Sequence, residues 1–326
     1  MNNTIKFFIS KTFTGERLDL FLTKKLQNFT RSYVKKQIVD KKVKINNLTI
    51  SSPSKKLKQN DKIEINIIKN ATEKLRPAKI KLDIIYEDKD LLIVNKQKGM
   101  VVHPGAGNLD NTLANALAYI YKENLSDING EFRPGIVHRI DKETSGLLVI
   151  AKNNLTHSEL GKQFSSHSIK RKYLCLIWGV IRPINGKIQT LITRNIKNRQ
   201  LMTVSEVKGK KAITNYKTLK VYNLKDVPKI SLLECELETG RTHQIRVHLK
   251  FKGTSILGDK QYGKERQKYK KINSIFYNKL KNLNGQALHA KTLEFNHPTR
   301  KKWVSFKSNI PSDFKKMIDF LNKQAG

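Results

Sequence analysis

Two cysteines in 326 residues are too few for a disulfide or zinc framework. Cys175 and Cys235 each sit in an apolar, strand-like run, so both are expected to be small core residues in a reducing compartment. No stretch approaches the ~20 apolar residues that a membrane-spanning helix requires. The N-terminus, MNNTIKFFISKTF, has a short apolar patch without a cleavage-site pattern, so no signal peptide and a cytoplasmic location are expected. No Gly-x4-Gly-Lys-Ser/Thr loop occurs. His243 and His248 are five residues apart, not the i, i+4 pair of a zinc helix, and no cysteine cluster accompanies them. Neither a metal nor a cofactor is expected. There is also no internal repeat and no low-complexity tract.

Acidic residues are scarce as well. Asp and Glu total 27 against 64 Lys and Arg, a net charge of +37 and a pI near 10.1. Such an imbalance repels itself unless a polyanion is at hand, and nucleic acid is the usual one. Part of the lysine excess has a blander source, a composition rich in Lys, Asn and Ile of the kind an AT-rich genome produces.

Residues 14–68 read as a first unit. TGERLDLFLTKKL carries Leu18, Phe21, Leu22 and Leu26 at helical spacing, with Thr14 placed as its N-cap. A second helix follows in FTRSYVKKQIVD, with Tyr33, Val34, Gln37 and Ile38 near one face and Arg31, Lys35 and Lys36 on the other. VKIN and DKIEINII read as short strands. Residues 69–80, KNATEKLRPAKI, lack periodicity and suit a linker. In residues 81–326 a charged turn at Glu87–Asp90 predicts a hairpin. NTLANALAYIY predicts a helix with Leu113, Ala116, Leu117 and Ile120 on one face. A helix from about Thr156 to Phe164, strands at YLCLIWGVI, ITNYKTLKVYN and ISLLECELET, and an amphipathic helix at PSDFKKMIDFLNKQ complete an α+β pattern.

Three polar patches interrupt apolar surroundings. GIVHRIDKETSGLLVIAK, residues 135–152, sets Asp141 between Gly135–Val137 and Leu147–Ala151, both read as buried strands. A buried carboxylate is costly unless paired, so either Asp141 has a partner or this is a solvated turn. The second patch is Arg171-Lys172-Tyr173. The third, TGRTHQIRVHLKFKG, predicts a strand ending at Thr239-Gly240 and a short helix from near Thr242 to Gly253, a left-handed cap. Gln244 and His248 would share one side of it, with Ile245 and Leu249 packing inward. His138-Arg139-Ile140-Asp141 superficially matches a kinase catalytic loop, but no glycine-rich loop precedes it and no Asp-Phe-Gly follows.

Two resemblances emerge from these motifs. Arg17-Leu18-Asp19, Leu22, Thr30-Arg31, Val43-Lys44-Ile45-Asn46 and Asp61-Lys62-Ile63 resemble the small RNA-binding module named after ribosomal small-subunit protein four. Lys41-Lys42 and Asn47 stand where that module commonly has glycine, so its turns are expected to differ slightly. Across most of residues 80–306 the chain resembles the RluA-type pseudouridine synthases. DIIYEDKDLLIVNKQKGMVVHPG resembles the family's first motif, with Gln97 in place of proline. GIVHRIDKETSGLLVIAK resembles the catalytic motif, with Ile140 and Glu143 replacing the commoner Leu and Asp. RKYLCLIWG has Cys175 where alanine is frequent, while LETGRTHQIRVHLKFKGTSILGDKQYG and LHAKTLEFNHP complete the set.

The resemblance implies a synthase domain on a mixed, largely antiparallel sheet flanked by helices. It implies Asp141 as the catalytic aspartate and Arg246 as its ion-pair partner. Tyr173 would pack on the target uracil and take the proton from carbon five. Arg139 would either fill the stack left by the flipped uridine or clamp a phosphate. Further RNA contacts are expected from His138, Arg241 and Gln244, and from Arg17, Arg31 and Lys35 on the first unit. His138 and His248 are read as structural or RNA-contacting, since the reaction needs no imidazole.

Isomerising uridine breaks the ribose–nitrogen bond and joins the ribose to carbon five, with no redox step or phosphate donor. It needs an ionised carboxylate that attacks carbon one of the ribose or takes a proton from carbon two, and an arginine partner keeps such a group charged. Within the family the wording is most like the D type, which implies 23S ribosomal RNA or a large-subunit precursor as partner and the helix 69 stem-loop as target. The C type, acting elsewhere on the same RNA, is the alternative. An inactive ribosome-assembly protein would have no chemical reason to keep Asp141, Tyr173 and Arg246 together. A DNA-binding repressor would need a helix-turn-helix that is absent. A monomer is the default expectation.

Overall fold

The computed structural model describes residues 2–26, 31–68, 75–105, 107–122, 124–130, 132–263 and 273–324. The chain divides into two units, Met1–Lys74 and Leu75–Gly326. The break falls within the segment read as a linker, of which residues 69–74 lie outside the described residues.

In the first unit, β1 (Asn2–Phe8), β2 (Val43–Ile45), β3 (Leu48–Ile50) and β4 (Lys62–Ile68) form an antiparallel sheet in the order β1-β4-β2-β3. β1 lies before residue 14, so the unit takes in more of the N-terminus than its motifs suggested. Helices α1 (Leu18–Lys25) and α2 (Arg31–Val39) bury Leu18, Phe21, Leu22, Val34 and Ile38 against Val43, Ile63 and Ile65. Thr14 does not cap α1. It ends a short 3-10 turn at Lys11–Phe13, and Arg17 occupies the N-cap position without a side-chain cap. The turn positions without glycine still adopt left-handed backbone, at Lys41 (φ 59°), Asn46 (φ 48°) and Asn47 (φ 68°). Asparagine tolerates that region and lysine is strained in it.

The second unit is built on a ten-stranded sheet. Its strands are β5 (Ile84–Glu87), β6 (Leu91–Lys96), β7 (Ser145–Ala151), β8 (Lys170–Trp178), β9 (Asn185–Arg194), β10 (Met202–Ser205), β11 (Lys210–Leu224), β12 (Val227–Leu237), β13 (Leu288–Asn296) and β14 (Trp303–Lys307). They run in the order β10-β9-β11-β12-β8-β13-β7-β6-β5, with β14 beside β13. Every pairing is antiparallel except β13 with β7, so the sheet is mixed and largely antiparallel as the resemblance implied. At the parallel pair Gly146 faces Ala290 with φ 115°, and any Cβ there would collide with the Ala290 backbone. Only glycine allows that approach.

Helices α3 (Leu113–Tyr121), α4 (Asn154–Ser165), α5 (Gln244–Phe251), α6 (Ser274–Lys281) and α7 (Ser312–Gln324) accompany the sheet. α3 starts at a Thr112–Asn115 capping box. It buries Leu113, Ala116 and Leu117, but Ile120 is exposed rather than on the packed face. α7 packs Phe314, Met317 and Leu321 inward. Cys175 and Cys235, on neighbouring strands, are buried free thiols with sulfurs 3.9 Å apart. One expected strand is missing: Gly135–Val137 forms only an isolated bridge from Ile136 to Ile150, whereas β7 on the other side of Asp141 is buried along its whole length.

The β5–β6 turn is fixed by Asp88. Its carboxylate accepts from the Tyr86 hydroxyl, the Asp90 and Leu91 amides and His297, and Arg300 lies 3.1 Å away. Burial alone would raise the carboxyl's pKa, but these bonds outweigh it and hold it at about 2 against an ordinary 3.8. A depressed carboxyl contributes stability that is present above its unfolded value and lost as pH falls through the folded one. Asp88 should therefore supply on the order of 2 kcal/mol near neutral pH, lost between about pH 4 and pH 2. In urea denaturation across that range, Asp88→Asn is expected to lower neutral stability and flatten the acid limb; an unchanged acid limb would contradict the assignment.

Candidate active site

Asp141 stands at the end of a loop pinned from several sides. Its carbonyl accepts from the Thr144 amide, and the Thr144 hydroxyl accepts from Gln286 at 3.1 Å. The next carbonyl, of Lys142, accepts from the Gly99 amide at 2.9 Å and from Lys96 Nζ at 3.0 Å. Lys96 is buried, and its ammonium also donates to the carbonyls of Gln97 (2.7 Å) and Met100 (2.8 Å). Burial pulls its pKa down to about 7, against the opposing fields of Glu143 and Asp141. The first and catalytic motifs are thus joined through one buried lysine.

Asp141 borders a cavity of about 420 Å³ that is also lined by Arg139, Arg171, Tyr173, His243 and Arg246. The α5 segment brings Arg246 there. Its Nε and Nη2 donate to both oxygens of Asp259, at 2.7 and 2.9 Å, while Nη1 donates to Asp141 Oδ2 at 2.8 Å. Nη2 also reaches Gln261 at 2.8 Å, and the guanidinium lies 4.7 Å from the Tyr262 ring centre. Burial alone would lower the Arg246 pKa, but the Asp259 hydrogen bonds and the fields of Asp141 and Asp259 raise it above the ordinary value. For Asp259, burial works upward and is outweighed by Arg246 and by the amides of Tyr262 and Gln261, leaving its carboxyl below the usual range.

Sequence reasoning placed Arg246 beside Asp141 and missed its other partner. Asp259 lies in the quoted ILGDKQYG stretch, and an acid following an apolar run in so basic a chain was the available signal. His243 was missed too. It caps α5 in left-handed backbone (φ 56°), its Nδ1 meets the Tyr262 hydroxyl at 2.8 Å, and its Nε2 lies 3.9 Å from Asp141. Burial lowers its pKa, with Asp141 opposing, which favours the neutral ring.

The remaining expected site residues fall into two groups. Tyr173 is buried in the cavity wall on β8; burial raises its phenol pKa, with Arg171 working against the shift and Asp141 with it. Arg139 is exposed and donates to His103 at 3.3 Å, a ring that burial and the nearby Arg133 and Arg139 hold at about 4. Arg241, half-buried at the cavity edge, donates to the Lys211 carbonyl. Gln244 and His138 also line the cavity and brace its wall from within. The Gln244 amide accepts from Thr239 and Arg241 and donates to Ile213 and Thr214, so both of its ends are used inside the protein. His138 accepts the Val149 amide and stacks on Phe164, its pKa pushed by burial and Arg171 to about 3. His248 is likewise buried between Thr190 and Thr214.

On the first unit, Arg17, Arg31 and Lys35 converge on the buried carboxylate of Asp19, at 2.9, 2.9 and 3.8 Å. Burial pushes the Asp19 pKa up, and hydrogen bonds from Arg17 and Arg31 more than offset it. All three cations keep nearly half their side-chain surface exposed, and three cations on one carboxylate leave a local excess of positive charge. Among the described residues, one group has the donors for a metal ion: Asp88, Asp90 and His297. There the Asp88 carboxylate is already compensated by Arg300 and hydrogen-bonded to His297.

A family model described as RNA pseudouridylate synthase matches residues 90–251, and one described as the S4 domain matches residues 16–63. The chain is 39% identical over 321 residues to the uncharacterized RNA pseudouridine synthase YlyB of Bacillus subtilis, covering 98% of this chain and 99% of that one. It is 40% identical over 317 residues to the ribosomal large subunit pseudouridine synthase D of Zymomonas mobilis, covering 96% of each. Among solved structures, human RNA pseudouridylate synthase domain containing 4 superposes with a TM-score of 0.57 at 24% identity, over 73% of this chain and 92% of that one, a likeness of fold. Fold, motifs and relatives together define an RNA-modifying isomerase that carries an RNA-binding module. The chain belongs to the RNA pseudouridine synthase family.

The Arg246–Asp259 pair generates a prediction. Removing one member of a buried pair leaves the other uncompensated, at about 3–5 kcal/mol. Asp259→Ala is expected to destabilise the second unit by about that amount in urea denaturation, and to slow pseudouridine formation because Arg246 is no longer held toward Asp141. Wild-type stability and rate in this variant would show that Arg246 needs no second carboxylate.

Proposed function

We propose that this chain converts uridines of bacterial large-subunit (23S) ribosomal RNA to pseudouridine as a D-type enzyme, with targets in the helix 69 stem-loop and Asp141 as the catalytic carboxylate. The observation that carries the reading is the 2.8 Å ion pair between Asp141 and Arg246 at the cavity. The large-subunit substrate is supported by several relatives at about 40% identity across nearly the whole chain that carry the name ribosomal large subunit pseudouridine synthase D.

In this reading Asp141 acts as a carboxylate, either adding to carbon one of the ribose or removing the proton from carbon two. The bond from carbon one to the base nitrogen breaks, the uracil turns, and carbon one joins carbon five as Asp141 leaves carbon one or a proton returns to carbon two. Carbon five then gives up its proton and the freed nitrogen gains one, so the net change is an isomerisation. Tyr173 packs on the uracil. Its raised pKa works against the base role expected of it, since a buried phenol keeps its proton. Arg139 and Arg241 at the cavity meet RNA, as do the cations around Asp19 in the first unit, through phosphate contacts that weaken with salt. Base extrusion costs a few kcal/mol of unstacking, which these contacts offset.

The test uses cells lacking this protein, complemented with the wild-type chain or with Asp141→Asn. Pseudouridine is mapped across the large-subunit RNA by chemical labelling and primer extension. Helix 69 signals are expected to return with wild type and not with the variant. Signals returning at other uridines would move the target, and full restoration by Asp141→Asn would remove the catalytic assignment.

A further inference from the structure

The cavity contains a second buried guanidinium that the chemistry above does not use. Arg171 lies on β8 two residues before Tyr173, so both side chains leave the same face of the strand. It is 8% exposed and lines the cavity. Its guanidinium stacks 5.4 Å from the centre of the Phe164 ring. Gly240 makes room for it, because a Cβ at that position would lie 2.7 Å from Nη1.

Unlike Arg246, Arg171 has no counter-ion among the described residues. Its Nε is buried without a hydrogen-bond partner. The nearby carboxylates of Glu234 and Glu236 approach Lys172 instead, at 3.7 and 3.9 Å, and among the described residues no carboxylate pairs with Arg171. A desolvated, uncompensated cation is costly. In a cavity that receives a polyanion, its missing partner can arrive with the substrate.

We propose that Arg171 binds an anionic oxygen of the flipped uridine nucleotide, which makes it a further catalytic residue of this site. The proposal rests on reading the cavity as the uridine site. The charge balance of the reaction supports it. Whether Asp141 adds to carbon one or takes the proton from carbon two, its negative charge is neutralised as the base departs. The electron pair of the broken bond leaves with the uracil and spreads over the ring nitrogen and carbonyl oxygens. Negative charge therefore moves away from Arg246 and toward the base, on the side where Tyr173 and Arg171 share a strand face. A phosphate next to the target uridine is the other source of an anionic oxygen. Preorganised donors at such a position are worth about a hundredfold or more in rate.

Arg171→Met keeps the stack on Phe164 and removes the charge. Single-turnover release of tritium from a large-subunit RNA fragment labelled at carbon five of uridine should slow about a hundredfold, with a melting temperature no lower than that of the wild type, while Arg171→Lys retains part of the rate. Gly240→Ala, which crowds the guanidinium without removing it, should shift the rate in the same direction. It decides the matter if Arg171→Met does not fold. An uncharged methylphosphonate beside the target uridine separates the two sources. A wild-type enzyme slowed by it as much as by Arg171→Met, with no further loss in the variant, assigns the phosphate; an undiminished effect of Arg171→Met assigns the base. A wild-type rate for Arg171→Met, or for Gly240→Ala if the former is unfolded, overturns the proposal while Asp141→Asn remains inactive. Activity in Asp141→Asn would instead overturn the reading of the cavity itself.

Discussion

One guanidinium shared between two carboxylates organises the second unit. Arg246 is held edge-on by Asp259 and turns its remaining nitrogen to Asp141. A buried arginine facing Asp141 alone would have unsatisfied donors and freedom to rotate. Asp259 removes both problems, and the amides of Gln261 and Tyr262 fix Asp259 in turn. The ion pair with Asp141 is therefore the exposed end of a rigid chain of hydrogen bonds, which suits a group that must be charged and in place before substrate arrives.

The sheet supplies the other half of that rigidity. β7 leaves the Asp141 loop directly into the buried centre of the sheet, and Gly146 lets it run close and parallel to β13. Lys96, at the end of the adjacent β6, ties three carbonyls of the surrounding loops to one ammonium. β8 brings Arg171 and Tyr173 to the cavity wall from the other side of β13. The polar groups of the cavity thus come from a central strand, the Asp141 loop and the α5 segment, and the exposed Arg139 is the one expected to fill the RNA stack or clamp a phosphate.

Much of this was readable in the residues because periodicity and local chemistry agree there. The β5–β6 hairpin, α4, β8, α7 and the short helix ended by Gly253 follow from apolar spacing and turn residues. The failures have physical causes. Gly135–Val137 is as apolar as a strand but makes one bridge, since burial alone does not supply a pairing partner. Thr14 resembled a cap, yet the 3-10 turn before Arg17 moved the helix start. For Gln244 and His138, which line the cavity, the three-dimensional fold adds that their polar tips are also bonded to neighbouring strands. Asp259 is 13 residues from Arg246, a separation that no helical or strand period reports.

The most direct measurement compares Arg246→Met with the double variant Arg246→Met/Asp259→Asn. The single variant leaves two carboxylates without their cation and should lose both stability and turnover. In the double variant the asparagine can still accept the Gln261 and Tyr262 amides, so most of the stability should return while pseudouridine formation stays lost, because Asp141 still lacks its partner. Recovery of turnover together with stability would contradict the account, since it would reduce Arg246 to a structural cation with no part in the chemistry at Asp141.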